Sequence, residues 1–284
     1  MNERGPTGPP RVTTAGPGWT PAGGGTDLAS PARLYDYLLG GMDNYAADRE
    51  LAHRLLELQP GVAAAARANR AFLTRAVGLL AGRGVRQFLD LGCGLPAREN
   101  VHRIASRRVP GARVVYVDHD PVVLAHARAL LAQDGNVAVV QSDLRKPDEL
   151  LGDVMTGGLL DWAEPVAVLL TAVLHFVADA DDPAGILAAL RAELAPESAL
   201  VISHATAGTP PDTAKAAADL YTTACVTPLV LRCREEVATF FGDFELLEPG
   251  LVPTAEWRPL DESPPPPRGQ LLAGVAIRRP GTNP

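Results

Sequence analysis

The chain has 284 residues, 46% of them hydrophobic and 21% charged, with a formal charge of −7 and a pI near 5.4. That length suits one large domain or a domain with an appendage, and the composition is that of an ordinary soluble globule. Net acidity argues against a nucleic-acid backbone as the main partner. The three cysteines, Cys93, Cys225 and Cys233, include no CxxC pair, so neither a disulfide framework nor a zinc site is expected. There is no charged-then-apolar leader and no apolar run of membrane-spanning length, from which a cytoplasmic protein with no membrane partner is expected. Nothing in the sequence decides the oligomeric state.

Residues 1–28 are rich in Gly, Pro and Thr without periodicity and read as a disordered tail. Order is expected from Ser30-Pro31, a cap followed by a first-turn proline. Helical patterns then cover Ala32–Leu39, Ala46–Leu58 and Val62–Leu80, so residues 29–82 form an all-helical cap ahead of the first strand. From residue 83 to the end, strand and helix signals alternate, which implies βαβ units and a parallel sheet. The strands are placed at Val85–Leu91, Arg113–Asp118, Val137–Gln141, Val166–Leu170 and Ala199–Ser203. Helices are expected at Asn100–Arg107, Val122–Leu131, from Asp182-Pro183 to about Leu194, around Ala214–Ala224 and from Arg234 to Phe241. Strands at Phe244–Leu247 and Leu271–Ile277 close one edge as an antiparallel pair.

Three successive strands end in Asp90, Asp118 and Asp143. Ligands of open α/β sheets bind where strand ends converge, so the ligand there should offer hydrogen-bond donors or positive charge. S-adenosylmethionine does, with an ammonium, a ribose diol, an adenine amine and a sulfonium. Gly92 and Gly94 can take positive φ and let a ligand lie on the backbone. Gly92-x-Gly94-x-x-Ala97 also matches the dinucleotide fingerprint. Against NAD stand Asp90, placed where a pyrophosphate would approach, and Pro96, which supplies no amide hydrogen. Asp143 could equally begin a simple turn.

On these motifs the chain resembles a class I S-adenosylmethionine-dependent methyltransferase. More narrowly it resembles the bacterial, actinomycete-type S-adenosyl methyltransferase family once treated as a domain of unknown function. The markers run from Ala32-Arg33-Leu34-Tyr35-Asp36-Tyr37-Leu38-Leu39-Gly40-Gly41 with Asn44 and Tyr45, through Ala68-Asn69-Arg70-Ala71-Phe72, to Gly94-Leu95-Pro96 with Asn100-Val101-His102. They continue in Val115-Tyr116-Val117-Asp118-His119-Asp120-Pro121, Ser142-Asp143-Leu144-Arg145 and Ala172-Val173-Leu174-His175-Phe176-Val177. The resemblance implies a Rossmann-like, seven-stranded, mostly parallel sheet with the last strand antiparallel and helices on both faces. It implies that Gly92 and Gly94 pass under the methionine part with Asp90 toward its amine, and that Asp118 binds the ribose with His119 beside the adenine. Asp143 and the Leu144 backbone would meet the adenine, Thr171 would floor the pocket, and Pro96 and Asn100 belong to the same cofactor set. The implied reaction is methyl transfer from S-adenosylmethionine to a small-molecule acceptor; a non-catalytic donor-binding sensor and an NAD-dependent oxidoreductase are the alternatives.

Methyl transfer needs a base only when the acceptor must lose a proton before attack. His175 and His204 are the candidates by position, a structural role bonded to nearby backbone being favoured for both. The lid and acceptor side is expected to draw on Tyr37, Asn44 and Tyr45 beside the hinge-capable Gly40-Gly41, and on His204, Tyr221 and Trp257.

Overall fold

The structure, a computed structural model, describes residues 27–97, 99–131, 135–207, 211–225, 227–259 and 271–281. The expected tail lies outside the described residues except for Asp27 and Leu28. Five parallel strands run β1 (Gln87–Leu91), β2 (Arg113–Asp118), β3 (Val137–Gln141), β4 (Val166–Thr171) and β5 (Ala199–Ala205), and the order across the sheet begins β3-β2-β1-β4-β5. Beyond β5 comes β8 (Leu271–Ile277), antiparallel to it. The outer edge of β8 carries two short pieces, β6 (Glu245–Leu246) and β7 (Val252–Pro253), both antiparallel to it. The sheet is therefore seven positions wide, as expected, but its outermost strand is broken in two. Pro249 and Gly250, which both weaken a regular ladder, fall between the pieces.

Helices α1 (Pro31–Leu38), α2 (Ala46–Leu58) and α3 (Val62–Gly82) precede β1, and α4 (Val101–Ser106) and α5 (Pro121–Leu130) follow β1 and β2. Pro147–Thr156 forms α6, a helix the strand–helix pattern did not yield, and α7 (Pro183–Glu193) links β4 to β5. Helices α8 (Pro211–Ala224) and α9 (Arg234–Thr239) lie between β5 and β6. Among the described residues no helix is long and apolar enough to cross a membrane.

Side chains alternate across a strand, and that alternation sorts the core. Leu89, Leu91, Val115, Val117, Val168, Leu170, Leu200 and Ile202 bury one face against α6, α7 and α9. Phe88, Val114, Tyr116, Ala167, Leu169 and Val201 bury the other against Phe72, Leu73, Ala76, Val77 and Leu80 of α3. The C-terminal half of α3 is thus a wall of the sheet, and only its first turns share a cluster with α1, α2 and α8.

Two buried polar assemblies seat the helical cap. Ala172 N–H donates to Ser203 Oγ at 2.9 Å, Ser203 Oγ–H to Asn69 Oδ1 at 2.6 Å, Asn69 Nδ2–H to Tyr35 Oη at 2.9 Å, and Tyr35 Oη–H to the Ala66 carbonyl at 3.0 Å. That chain joins the tips of β4 and β5 to α3 and α1. In the second, the fully buried Asp48 carboxylate accepts from Arg33 Nε at 2.7 Å and from the backbone N–H groups of Ser30 and Tyr45, both at 2.8 Å. Removing one member of a buried ion pair leaves the other charge uncompensated, which costs about 3–5 kcal/mol. Asp48→Ala should therefore lower the urea midpoint well beyond the loss caused by a surface Asp→Ala change, and an unfolding free energy within about 1 kcal/mol of wild type would remove this anchor from the account.

Candidate active site

The strand tips and the cap enclose one cleft of about 1150 Å³. Strand parity decides which tip residues look toward α3. Asp90 shares the parity of Phe88, Asp118 that of Val114 and Tyr116, Thr171 that of Leu169, and Ser203 that of Val201. All four therefore turn to the α3 side.

The turn after β1 is built around Asp118. Gly94 N–H donates to its Oδ2 at 3.0 Å and Asp120 N–H to its Oδ1, also at 3.0 Å. Gly92 and Gly94 both take positive φ, +68° and +64°. A Cβ at Gly92 would come within 2.3 Å of Val173 Cγ2, so the crossing of this turn over the β4 loop needs glycine there. Asp120, at the N-cap of α5, accepts from Val122 N–H and from Ser30 Oγ–H, tying the start of α1 to the same rim.

Burial pushes the Asp90 carboxyl up from its ordinary 3.8 to about 7; the Arg70 guanidinium draws it down and the Asp118 charge adds to the rise. Burial also raises Asp118, against the backbone N–H groups of Asp120 and Gly94 that favour its charged form. Burial acts upward on Asp143 as well, but the Arg145 guanidinium and N–H outweigh it and hold that carboxyl below its usual value. Arg70 reaches the cleft from α3, and one of its terminal nitrogens donates to the Glu99 carbonyl. Its Nε is buried without a partner. Sequence reasoning quoted Arg70 only within a motif, although a signal was present: it extends the Leu73, Val77, Leu80 stripe by three residues, a cation on an apolar helix face.

Of the expected residues, Asp90, Gly92, Gly94, Pro96, Asp118, His119, Asp143, Leu144, Thr171, His175 and Tyr221 all line this cleft. His119 is exposed at its rim, 3.7 Å from Asp118. Six others stand outside the lining. Asn100 caps α4 and accepts from Ala97 N–H through Oδ1, and so shapes the loop behind the turn. Tyr37 turns away and pairs its hydroxyl with His53 Nε2 at 2.8 Å. Asn44 is buried within the Gly40–Asn44 loop, donating to Asp36 and Gly41. Tyr45 caps α2 with its ring under the Arg33 guanidinium. His204 has the parity of Leu200 and Ile202 and is carried to the opposite face, where Nδ1 meets the Ala205 carbonyl and Nε2 meets Arg232 Nη1. Burial pulls it down to about 4. Trp257, considered for the acceptor wall, is fully buried edge-on to Phe72 in the α3-side core.

His175 does line the cleft, but its Nδ1 accepts from Ala205 N–H at 3.2 Å. That bond requires the neutral tautomer with hydrogen on Nε2. Burial, with His204 and Arg232 nearby, holds its pKa well below the ordinary value, so the ring stays neutral.

A family model described as S-adenosyl methyltransferase matches residues 19–279. The crystal structure of a provisionally assigned methyltransferase from Thermobifida fusca YX is 39% identical with a TM-score of 0.83, covering 89% of this chain and 96% of that one. A DUF574 family protein from Streptomyces avermitilis MA-4680 is 38% identical with a TM-score of 0.83, over 90% of this chain and 99% of that one. No curated protein matches the sequence.

The raised Asp90 pKa has a direct stability consequence. The folded state's preference for the protonated acid is fully present below pH 3.8 and is lost as pH rises through about 7. Asp90→Asn should therefore unfold like wild type near pH 4 and be more stable at pH 8, by roughly 2–4 kcal/mol. Parallel unfolding curves for the two proteins across that range would contradict the assigned burial.

Proposed function

Because the chain belongs to the S-adenosyl methyltransferase family, and so is an S-adenosylmethionine-dependent methyltransferase, we propose that it methylates a small-molecule acceptor held between the strand tips and the helical cap. The carrying observation is the volume of that single cleft. At about 1150 Å³ it exceeds the roughly 300–1,000 Å³ of common single-ligand sites, leaving room for an acceptor beside the donor. The NAD reading falls with the family assignment.

The residues present fit the donor's chemistry. Asp90 would take the ammonium of its methionine part, and Arg70, with its buried unpartnered Nε, would take the carboxylate. A zwitterion would thus pair both the buried acid and the guanidinium. Asp118 already holds the glycine turn and retains acceptor capacity for the ribose diol. Asp143, with Leu144 beside it, would receive the adenine amine, its ionised state secured by Arg145. When bound, the donor supplies a methyl group already activated by its sulfonium. The protein's part is to align the acceptor and to keep water out. The cap does the latter, with Leu34, Leu38 and Tyr35 roofing the cleft.

Three measurements test this reading. Calorimetry should show S-adenosylhomocysteine and S-adenosylmethionine binding to wild type and not to Asp118→Ala; unchanged affinity in that variant removes the ribose assignment. Because the ammonium needs Asp90 ionised, affinity should weaken about tenfold per pH unit below 7, with uptake of donor releasing about one proton there. The Asp90→Asn profile should be flat, and an equal slope in both proteins would exclude Asp90 as the ammonium partner. Methyl transfer into a small-metabolite extract distinguishes an enzyme of small molecules from a protein that only binds the donor.

A further inference from the structure

An apolar part of the cleft lies beyond the groups assigned to the donor. It runs from the His175 loop under α1 and α8, walled by Leu34, Leu38, Ala217, Leu229 and the pair Phe176–Tyr221. The Phe176 and Tyr221 rings are stacked, with centroids 5.4 Å apart and planes at 20°. The Tyr221 hydroxyl is buried without a well-formed partner, beside the Cys225 thiol and toward Asp48, so the ring and not the hydroxyl meets the cleft.

Among the described residues, the titratable side chains bordering this part are already committed. Tyr35 Oη both donates to the Ala66 carbonyl and accepts from Asn69. The Asp36 carboxylate is turned into the Gly40–Asn44 loop, where Asp43 N–H and Asn44 Nδ2–H each donate to it at 2.9 Å. His175 has spent its lone pair on Ala205 N–H, so its free nitrogen can donate a hydrogen but cannot take a proton. Among the described residues, an acceptor that must be deprotonated before attack finds no base here. An acceptor carrying charge would lose hydration without gaining an ionic partner among the described residues.

Building on the donor assignment above, we propose that the acceptor is a flat, uncharged aromatic compound seated against the Phe176–Tyr221 face, whose attacking atom is a nitrogen with a lone pair free at neutral pH. The flat wall selects a flat ring by offset stacking. The nitrogen lone pair forms the new N–C bond as the S–C bond breaks, both electrons of that bond leaving on sulfur. Any proton on the product nitrogen then passes to water.

The test uses isoquinoline and 1-aminonaphthalene as probes and spermidine and glucose as polar counter-probes. Each is titrated into protein saturated with S-adenosylhomocysteine, and each is incubated with S-adenosylmethionine labelled in its methyl group. The aromatic amines should bind and take up label, and the counter-probes should do neither. Phe176→Leu should weaken aromatic binding about five- to tenfold, the worth of a stacked ring, while S-adenosylhomocysteine affinity stays within about twofold, which also reports that the variant is folded. Tyr221→Phe should bind the probes as wild type does, and Tyr221→Ala should not. The inference is overturned if the aromatic probes fail to bind the loaded protein, bind Phe176→Leu equally well, or are outdone by spermidine or glucose. Failure of S-adenosylhomocysteine itself to bind would instead bring down the donor assignment on which the inference rests.

Discussion

The two-residue alternation of side chains along a strand governs this site more than any single contact. One register shift in β1 would send Asp90 into the core shared with α6 and α7, and Leu89 into the cleft. In the observed register Asp90, Asp118, Thr171 and Ser203 all turn to the side covered by α3. That is also the side from which Asn69 and Arg70 approach. The same rule carries His204 to the other face, into a pocket with Arg232 and Phe240. The pleat thus decides, before any ligand chemistry, which polar groups can meet.

What they make is a site held at a cost to the fold. Two buried carboxylates, Asp90 and Asp118, have raised pKa values, and Asp90 feels the charge of the Arg70 guanidinium, whose Nε has no partner. Burial without full pairing is unfavourable for each of them. The arrangement suits a ligand carrying an ammonium for Asp90, a carboxylate for the guanidinium and a hydroxyl donor for Asp118. Stability withheld from the fold would become affinity for such a ligand, a trade common where function needs unsatisfied groups.

The cap is joined to this site by the Ser203–Asn69–Tyr35 chain, which begins at Ala172, a non-glycine residue in the left-handed region at φ +57°. Cap and strand tip are therefore one mechanical unit. Its roof is not a single segment, because α8, more than a hundred residues after α3, packs with α1 and α2 in the same apolar cluster. The chamber proposed for the acceptor exists only where these distant pieces come together.

Much of the architecture was legible locally. An apolar run closed by an acid marks β1 and β2, Asp120-Pro121 and Asp182-Pro183 mark the starts of α5 and α7, and α2 falls on the residues its periodicity indicates. These features depend on neighbours a few residues apart, so the chain alone carries them. Helix α6 went unread because its buried stripe is only Leu150 and Val154, although Pro147 and two acids mark its first turn. Tyr37, Asn44 and Tyr45 carry the right chemistry for a lid, yet the Gly40–Asn44 turn and the capping of α2 aim them away from the cleft. Local pattern and spacing thus determined the sheet and its acidic tips, and the run of motifs carried the resemblance to the family. Which side chains meet at the cleft, Arg70 toward Asp90 and Phe176 stacked on Tyr221, was decided only by the packing of elements far apart in the chain, because side-chain direction depends on the crossing of elements and not on their order.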